Sequence, residues 1–268
     1  MLTMIFQGEL TFSENLNMLH DNKFNSWIQN IFNGVKIATQ FRSVRQWHSS
    51  TRYLMDEVLA KTEIAEKQIR EHQRYTNDRV DRRLQREPEV PDLWSRILSK
   101  DALSGGMTLD EQYSNASFFM MAGAETTATA LSGTCYYLLR NPRCMDVVTK
   151  EIRAEFDSVS EITMDRASHL TYLNACLSES MRVYPPNPIT LPRTVPKGGS
   201  VICDQYVPEN VKVGINHYAV SHSAEHFQRP YEFIPERWLG DAEFKHDHLD
   251  AVEVRSAGMH FDRLDTDI

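Results

Sequence analysis

The stretch FFMMAGAETT at residues 118–127 lies in a run of mostly apolar and small residues that continues to Leu139. A helix start precedes this run, since Thr108 and Glu111 have the spacing of a capping box, in which each side chain satisfies an otherwise unpaired backbone amide. The sequence therefore predicts one long helix that begins near residue 109. Because few of its positions are charged, we expect this helix to be buried on nearly all sides.

Polar residues interrupt the apolar run at Glu125, Thr126 and Thr127, one helical turn after Gly123. A buried carboxylate or hydroxyl costs free energy unless it has a hydrogen-bond partner, and a glycine inside a helix costs roughly 1 kcal/mol relative to alanine. Gly123 shares one helix face with both threonines. This pattern favours a ligand or cofactor pressed against that face. The alternative is a core helix in which the threonine hydroxyls bond back to carbonyls one turn earlier.

The amino-acid composition indicates a globular protein and argues against nucleic-acid-binding and membrane-spanning classes. The chain has 268 residues, of which 41% are hydrophobic and 25% charged, which is ordinary for a globular protein of one large domain or two small ones. The net charge of -8 argues against nucleic-acid binding. The four cysteines lack paired or zinc-like spacing, which predicts reduced thiols. No segment reaches the roughly 18 consecutive apolar residues of a membrane span, so we expect a cytoplasmic chain.

The remaining pattern predicts a mainly α protein with a small irregular β-sheet. Apolar spacing and helix-start signals predict further helices at residues 26–38, 50–86, 92–98, 142–156, 169–184 and 216–221. Short strands are expected at residues 190–195, 200–203 and 211–215, after a proline-rich segment ends the preceding helix.

Two charged motifs stand in the second half of the chain. Glu179 and Arg182 are three positions apart on a predicted helix, close enough to form an ion pair. A surface pair of this kind contributes only a few tenths of a kcal/mol. The second motif, FIPERW at residues 233–238, places Arg237 after a proline and a glutamate.

Taken in order, three motifs resemble those of the cytochrome P-450 family of haem-thiolate monooxygenases. AGAETT at residues 122–127 is similar to the family's oxygen-binding helix, ESMR at residues 179–182 to its Glu-x-x-Arg helix, and FIPERW to its Pro-Glu-Arg segment. The resemblance extends over residues 1–253 and is strongest to fungal members of secondary metabolism. It implies a partial cytochrome P-450 fold, cut at both ends, with residues 254–268 as a tail outside the family pattern.

The resemblance implies a role for each unusual residue of the central helix. Gly123 would leave room for dioxygen, while Glu125 and Thr126 would deliver protons to it as catalytic residues. Thr127 would line the cofactor site, and Arg193 would hold a haem propionate.

Other residues receive structural or substrate-binding roles from the same resemblance. Glu179, Arg182 and Arg237 would form a buried, salt-bridged structural triad. Substrate contacts would fall to Phe118, Phe119, Met121 and residues 189–191, for which plain core packing is the alternative.

The chain departs from the family at the residue that ligates the haem iron. The family's cysteine thiolate lies in a loop after the Pro-Glu-Arg segment, whereas the last cysteine here is Cys203, which precedes it. We therefore expect a truncated chain in which a metal-ligating cysteine is absent and haem is not held by a thiolate. Replacement ligands would have to come from His246, His248, His260 or Met259.

Two hypotheses about function follow. The first is haem-dependent monooxygenation of a small apolar substrate, with electrons passing from NADPH through a reductase; full-length relatives of this type are anchored to the endoplasmic reticulum membrane. The second is a catalytically inactive remnant, or a helical protein that binds a partner, without chemistry of its own.

Overall fold

The computed structural model describes residues 2–14, 53, 63–87, 91–104, 106–190 and 192–252. These residues form two compact units, residues 1–128 and residues 129–268. The helix expected at 26–38, most of the first part of the helix expected at 50–86, and the tail at 254–268 lie outside the described residues.

The described part of the first unit is helical. It contains α1 (Leu2–Phe12), α2 (Glu63–Leu84), α3 (Leu93–Ser104) and the first part of α4 (Leu109–Arg140), which continues into the second unit. Asp92 starts α3, because the amide of Ser95 donates to Asp92 Oδ1 at 2.7 Å. The capping box at α4 is confirmed: the amide of Thr108 donates to Glu111 Oε2 at 2.7 Å, and the amide of Glu111 donates to Thr108 Oγ1 at 3.3 Å.

The expectation that α4 would be buried on nearly all sides is wrong. Its buried positions recur about every four residues, at 112, 116 and 120 in the first unit and at 133, 134 and 138 in the second. The helix therefore packs along a stripe, while Phe118, Met121 and Leu139 are exposed. Apolar composition shows how much surface a helix can bury, but the neighbouring elements decide which positions are covered.

The second unit is built on α5 (Pro142–Glu155) and α7 (Thr171–Val183), with the short α6 (Met164–Ser168) between them and α8 (His217–Ser221) further along. As predicted, Pro142 is the first residue of α5. A core cluster joins α4, α5 and α7 to the FIPERW segment; its buried members are Leu138, Cys144, Val148, Tyr172, Cys176, Val183 and Phe233. The rings of Tyr137 and Phe233 stack at 5.2 Å. Single 3-10 turns follow at Val159–Glu161, Pro235–Leu239, Ala242–Phe244 and Leu249–Val252.

The strands of the second unit form two small antiparallel sheets. β1 (Arg193–Thr194) pairs with β4 (Lys212–Val213), and β2 (Ser200–Ile202) pairs with β3 (Gln205–Val207). The sequence did not predict β3. Its hairpin turns at Cys203 and Asp204, whose φ angles of 48° and 59° are those of a type I′ turn, but this dipeptide lacks the Asn-Gly signature that identifies such turns. The prediction of a mainly helical fold with a small amount of sheet is confirmed. In the part of the chain that the structure describes, no helix is long and apolar enough to cross a membrane.

Candidate functional site

The polar residues of α4 lie on a partly open helix surface. Gly123 and Glu125 are half-buried, whereas Thr126 and Thr127 are exposed. The hydroxyl of Thr126 donates to the carbonyl of Ala122 at 2.8 Å, as in the back-bonding alternative. The oxygen of this hydroxyl can still accept a hydrogen bond from a ligand, because a hydroxyl has one donor and two lone pairs.

The apolar residues next to this segment are also accessible. Phe118 is 58% exposed and Met121 is 43% exposed, and both are in the first unit. The rings of Phe118 and Phe119 are 6.2 Å apart and tilted. Of the second group of expected substrate contacts, Ile189 is exposed and Thr190 half-buried, in the second unit, while Leu191 lies outside the described residues. Exposed apolar surface beside a hydroxyl and a carboxylate is suited to an apolar ligand with a polar reacting group.

The structure brings Glu179, Arg182 and Arg237 together at the centre of the second unit. The Glu179 carboxylate accepts five hydrogen bonds of 2.9–3.1 Å: two from Arg182, one from Arg237, one from the amide of Ile234 and one from the indole of Trp238. The side chains of the three charged residues are completely buried. The surface-pair alternative for Glu179 and Arg182 is therefore wrong, because this pair lies in the interior.

Arg182 uses its whole guanidinium group. Two of its five N–H groups bind Glu179, and the other three donate to the carbonyls of Ser221, Pro230 and Glu232 at 2.7–2.9 Å. Since a buried arginine is tolerated only when its charge and its donors are satisfied, this residue fixes the loop at 221–232 against α7.

Arg237 has a second carboxylate partner that the sequence did not indicate. It pairs with Asp247, and it donates to the carbonyl of Gln228 at 3.2 Å. Its guanidinium lies over the rings of Phe244 at 4.9 Å and Phe227 at 5.8 Å. With Asp247 included, the cluster holds two negative and two positive charges, so that its formal charge is zero.

Asp247 belongs to the HDH sequence at residues 246–248, whose spacing suggested a metal site. In the structure, both oxygens of Asp247 have protein partners: one pairs with Arg237, and the other accepts a hydrogen bond from the amide of Gln228 at 2.8 Å. Among the described residues, no group of three or more His, Cys, Asp or Glu side chains is placed to hold a metal ion. No local sequence pattern identified Asp247 as this partner, because several acidic residues follow the Pro-Glu-Arg segment.

Comparison with known proteins identifies the family. The model of the family "Cytochrome P450" matches residues 1–250 of the 268-residue chain. The chain belongs to the cytochrome P450 family.

Two fungal monooxygenases illustrate the curated relatives of this P450 chain. It is 39% identical over 259 residues to the cytochrome P450 monooxygenase efuB of Hormonema carpetanum, covering 96% of this chain and 51% of that protein. It is 38% identical over 245 residues to the cytochrome P450 monooxygenase FUM2 of Gibberella moniliformis, covering 91% and 51%. The chain thus spans about half the length of the curated relatives that it matches.

Solved structures agree on the fold. A zebra fish cytochrome P450, crystallised with abiraterone, aligns with a TM-score of 0.68 at 21% identity, over 88% of this chain and 52% of its own. The crystal structure of the cytochrome P450 CYP102L1 aligns with a TM-score of 0.71 at 20% identity, over 91% of this chain and 54% of its own. The expectation of a partial cytochrome P-450 fold is confirmed.

The family implies haem, and the thiols of this P450 chain test whether its own residues suit the iron. Cys144 and Cys176 are buried in the core cluster of the second unit. Burial, together with the negative charge of Glu236 nearby, raises the pKa of Cys176 to about 12, so that it remains a thiol at neutral pH. A haem iron of this family needs a thiolate, which Cys176 does not provide, and Cys144 is enclosed in the same core cluster.

The other two cysteines are at the surface, whereas the candidate ligands Met259 and His260 lie outside the described residues. Cys135 and Cys203 are exposed, and the family's ligand loop, which would follow FIPERW, has no cysteine in this sequence. The described residues therefore do not fit thiolate ligation of haem iron. Arg193, in contrast, is exposed on β1 and donates to the carbonyl of Pro192 at 3.3 Å, which leaves further N–H groups for a carboxylate.

Proposed function

We propose that this chain derives from a fungal cytochrome P450 monooxygenase of secondary metabolism. Such an enzyme uses haem to insert one oxygen atom into a small apolar molecule, with electrons supplied by NADPH through a reductase. One observation carries the proposal. On α4, half-buried Gly123 and the hydroxyl of Thr126 share a helix face beside the exposed apolar side chains of Phe118 and Met121.

Each residue of this segment has a role that its geometry supports. Gly123, which has no side chain, leaves space for a small ligand against the helix. The oxygen of Thr126 accepts a hydrogen bond from that ligand while its proton is held by Ala122 at 2.8 Å, and a rotation about χ1 turns the hydroxyl into a donor. The Glu125 carboxyl, next in the chain, is the proton source, with Thr127 lining the same face. Arg193 is available to bind a propionate.

We further propose that this polypeptide by itself does not carry out the reaction. The activity would require a cysteine thiolate to hold the haem iron, and no described cysteine is suited to supply it. The second candidate function, a remnant without chemistry that can bind a partner, is favoured by this same absence. The ion-pair cluster around Glu179 supports a folded second unit under either hypothesis.

A reduced carbon monoxide difference spectrum of the purified chain, after incubation with haemin, tests the proposal. We expect no Soret band at the position of a thiolate-ligated haem. Appearance of that band would overturn the proposed inactivity, and the single variants Cys135→Ser and Cys203→Ser would then identify the ligand. A band typical of histidine ligation, lost in His246→Ala or His260→Ala, would instead revive the replacement-ligand hypothesis.

The oxygen-handling role of α4 needs a separate test. A haem-loaded form that reacts with a small apolar substrate in the presence of NADPH and a reductase should lose coupling between NADPH oxidation and product in Thr126→Val. Ser132→Ala is the matched control, since its hydroxyl is also exposed on α4 but lies outside the segment at residues 122–127. Equal effects of both substitutions would contradict the assignment of Thr126.

A further inference from the structure

Two histidines that are far apart in the sequence lie side by side in the second unit. The ring centroids of His226 and His248 are 5.7 Å apart, with an interplanar angle of 83°. The amide of His248 donates to the carbonyl of His226 at 2.9 Å, so that the two segments are joined at this point by their backbones. His226 is half-buried and His248 is exposed, which leaves the pair open to solvent on one side.

We propose that His226 and His248 form a two-imidazole binding site for a divalent transition-metal ion of the Zn²⁺ type. A zinc–nitrogen bond of about 2.0–2.1 Å places two imidazole centroids roughly 5–6 Å apart around one ion, for tetrahedral to wider angles at the metal. The observed 5.7 Å lies in this range. In the proposed site, rotation of the two side chains directs one nitrogen of each ring at a common ion, and water completes the shell.

The backbone around the pair is held in place by interactions that do not involve either imidazole. The amide of Gln228 donates to Asp247 Oδ1 at 2.8 Å, next to the bond between His248 and His226. Asp247 is itself fixed by its pairing with buried Arg237. A site whose two ligands are carried by pre-positioned segments loses little conformational freedom on binding an ion.

The chemistry of the surroundings favours a cation that binds nitrogen. Glu225 and Asp250, one and two positions from the two histidines, are exposed carboxylates that contribute negative charge near the pair. Imidazole is a ligand of zinc, copper and nickel, whereas magnesium and calcium prefer oxygen. The site is distinct from the haem chemistry of the family, and it pairs His248 with His226 rather than with His246, its neighbour in the HDH sequence.

Binding would act on the fold of the second unit. An ion held by both rings cross-links the segment at 226–228 to the segment at 247–248, and both segments contribute to the surroundings of Arg237. Since an ion that binds only the folded state stabilises it by mass action, zinc should raise the melting temperature of this unit.

Calorimetric titration of the tag-free, 268-residue chain with ZnCl₂ at neutral pH tests the proposal, with MgCl₂ as the control ion. We expect saturable zinc binding by the natural chain and by the matched control His246→Ala. We expect this binding, and the increase in melting temperature that accompanies it, to be lost in His226→Ala and in His248→Ala. Because ligand imidazoles must be deprotonated, zinc binding should also weaken at acid pH.

Three outcomes would overturn the assignment: no saturable binding by the natural chain, unchanged binding in either ligand variant, or loss of binding in His246→Ala. Melting curves recorded without zinc verify that each variant is folded. Should His226→Ala fail to fold, His248→Asn replaces an exposed side chain and leaves the backbone bond to His226 intact, so that its loss of zinc binding tests the same pair of ligands.

Discussion

Glu179 is the shared carboxylate partner of two buried arginines in the second unit. Its two oxygens accept five hydrogen bonds, four of them from side chains of Arg182, Arg237 and Trp238. No uncharged residue could accept as many from two arginines, and a carboxylate with fewer partners would not repay its own desolvation. We therefore expect position 179 to tolerate substitution less well than the position of a surface acidic residue.

Replacing Glu179 with Gln should destabilise the second unit by about 3–5 kcal/mol, because two buried guanidinium groups lose their common counter-charge. Urea-induced unfolding followed by tryptophan fluorescence measures the loss, since Trp238 is itself a member of the cluster. Glu232→Gln is the matched control: Glu232 pairs with Arg229 at 3.4 Å on the surface, and its loss should cost less than about 1 kcal/mol. Similar losses in the two variants would contradict the structural role of Glu179.

At the scale of single elements, three carboxylates define helix starts, and only two of them could be predicted. Asp92 and Glu111 act within three or four positions of their own helix, so the sequence alone revealed them. Glu151 belongs to α5 but accepts from the first amides of α7, those of Tyr172 at 2.7 Å and Leu173 at 2.9 Å. A contact between elements leaves no local pattern, which is also why Asp247 escaped prediction as the partner of Arg237.

Asp92, at the start of α3, should make the free energy of unfolding of the first unit decrease at acid pH. Burial alone would raise the pKa of Asp92, but hydrogen bonds from Arg83 and Ser95, together with the charge of Arg83, lower it to about 2. A carboxyl with a lowered pKa in the folded state stabilises that state above its ordinary pKa of 3.8, here by about 2 kcal/mol, and loses this contribution as the pH falls towards 2.

The difference in the free energy of unfolding between the natural chain and Asp92→Asn measures this contribution, because the other carboxylates titrate equally in both proteins. We expect the difference to be constant above about pH 5 and to shrink steadily between pH 4 and pH 2. A difference that does not change with pH would show that the charge on Asp92 does not stabilise the fold.

The start of α7 offers a prediction about a contact between helices. Glu151→Ala removes the only acceptors that reach the amides of Tyr172 and Leu173 among the hydrogen bonds of the described residues, and loss of such a cap costs about 1–2 kcal/mol. Glu155→Ala, on the same helix α5, removes a surface pair with Arg166 at 3.0 Å and should cost less than about 1 kcal/mol. Thermal unfolding followed by circular dichroism distinguishes the two variants by their melting temperatures. Equal decreases in melting temperature would contradict the role of Glu151 as the cap of α7.

At the scale of the whole molecule, the sequence indicated the family because its motifs are short and contiguous. AGAETT, ESMR and FIPERW could each be recognised without knowing any contact. Burial could not be predicted in this way: the apolar run that suggested a fully buried α4 includes, within the second unit, an exposed stripe formed by Tyr136 and Leu139, three positions apart. Leu138, between them in the chain but on a different face of the helix, belongs to the core.

This stripe should make the chain associate with itself in solution. Leu139 is 72% exposed and Tyr136 is 57% exposed, and adjacent exposed apolar side chains of this size favour association. The net charge of -8 at pH 7 opposes association by repulsion, so light scattering should increase as the pH falls from 7 towards the isoelectric point of 5.7.

The double variant Tyr136→Gln, Leu139→Gln keeps the charge unchanged and should reduce scattering at every pH. Val159→Gln, a substitution outside α4 of a residue that is 85% exposed, is the control; if it reduced scattering as much as the double variant, general surface hydrophobicity rather than the stripe would be the cause.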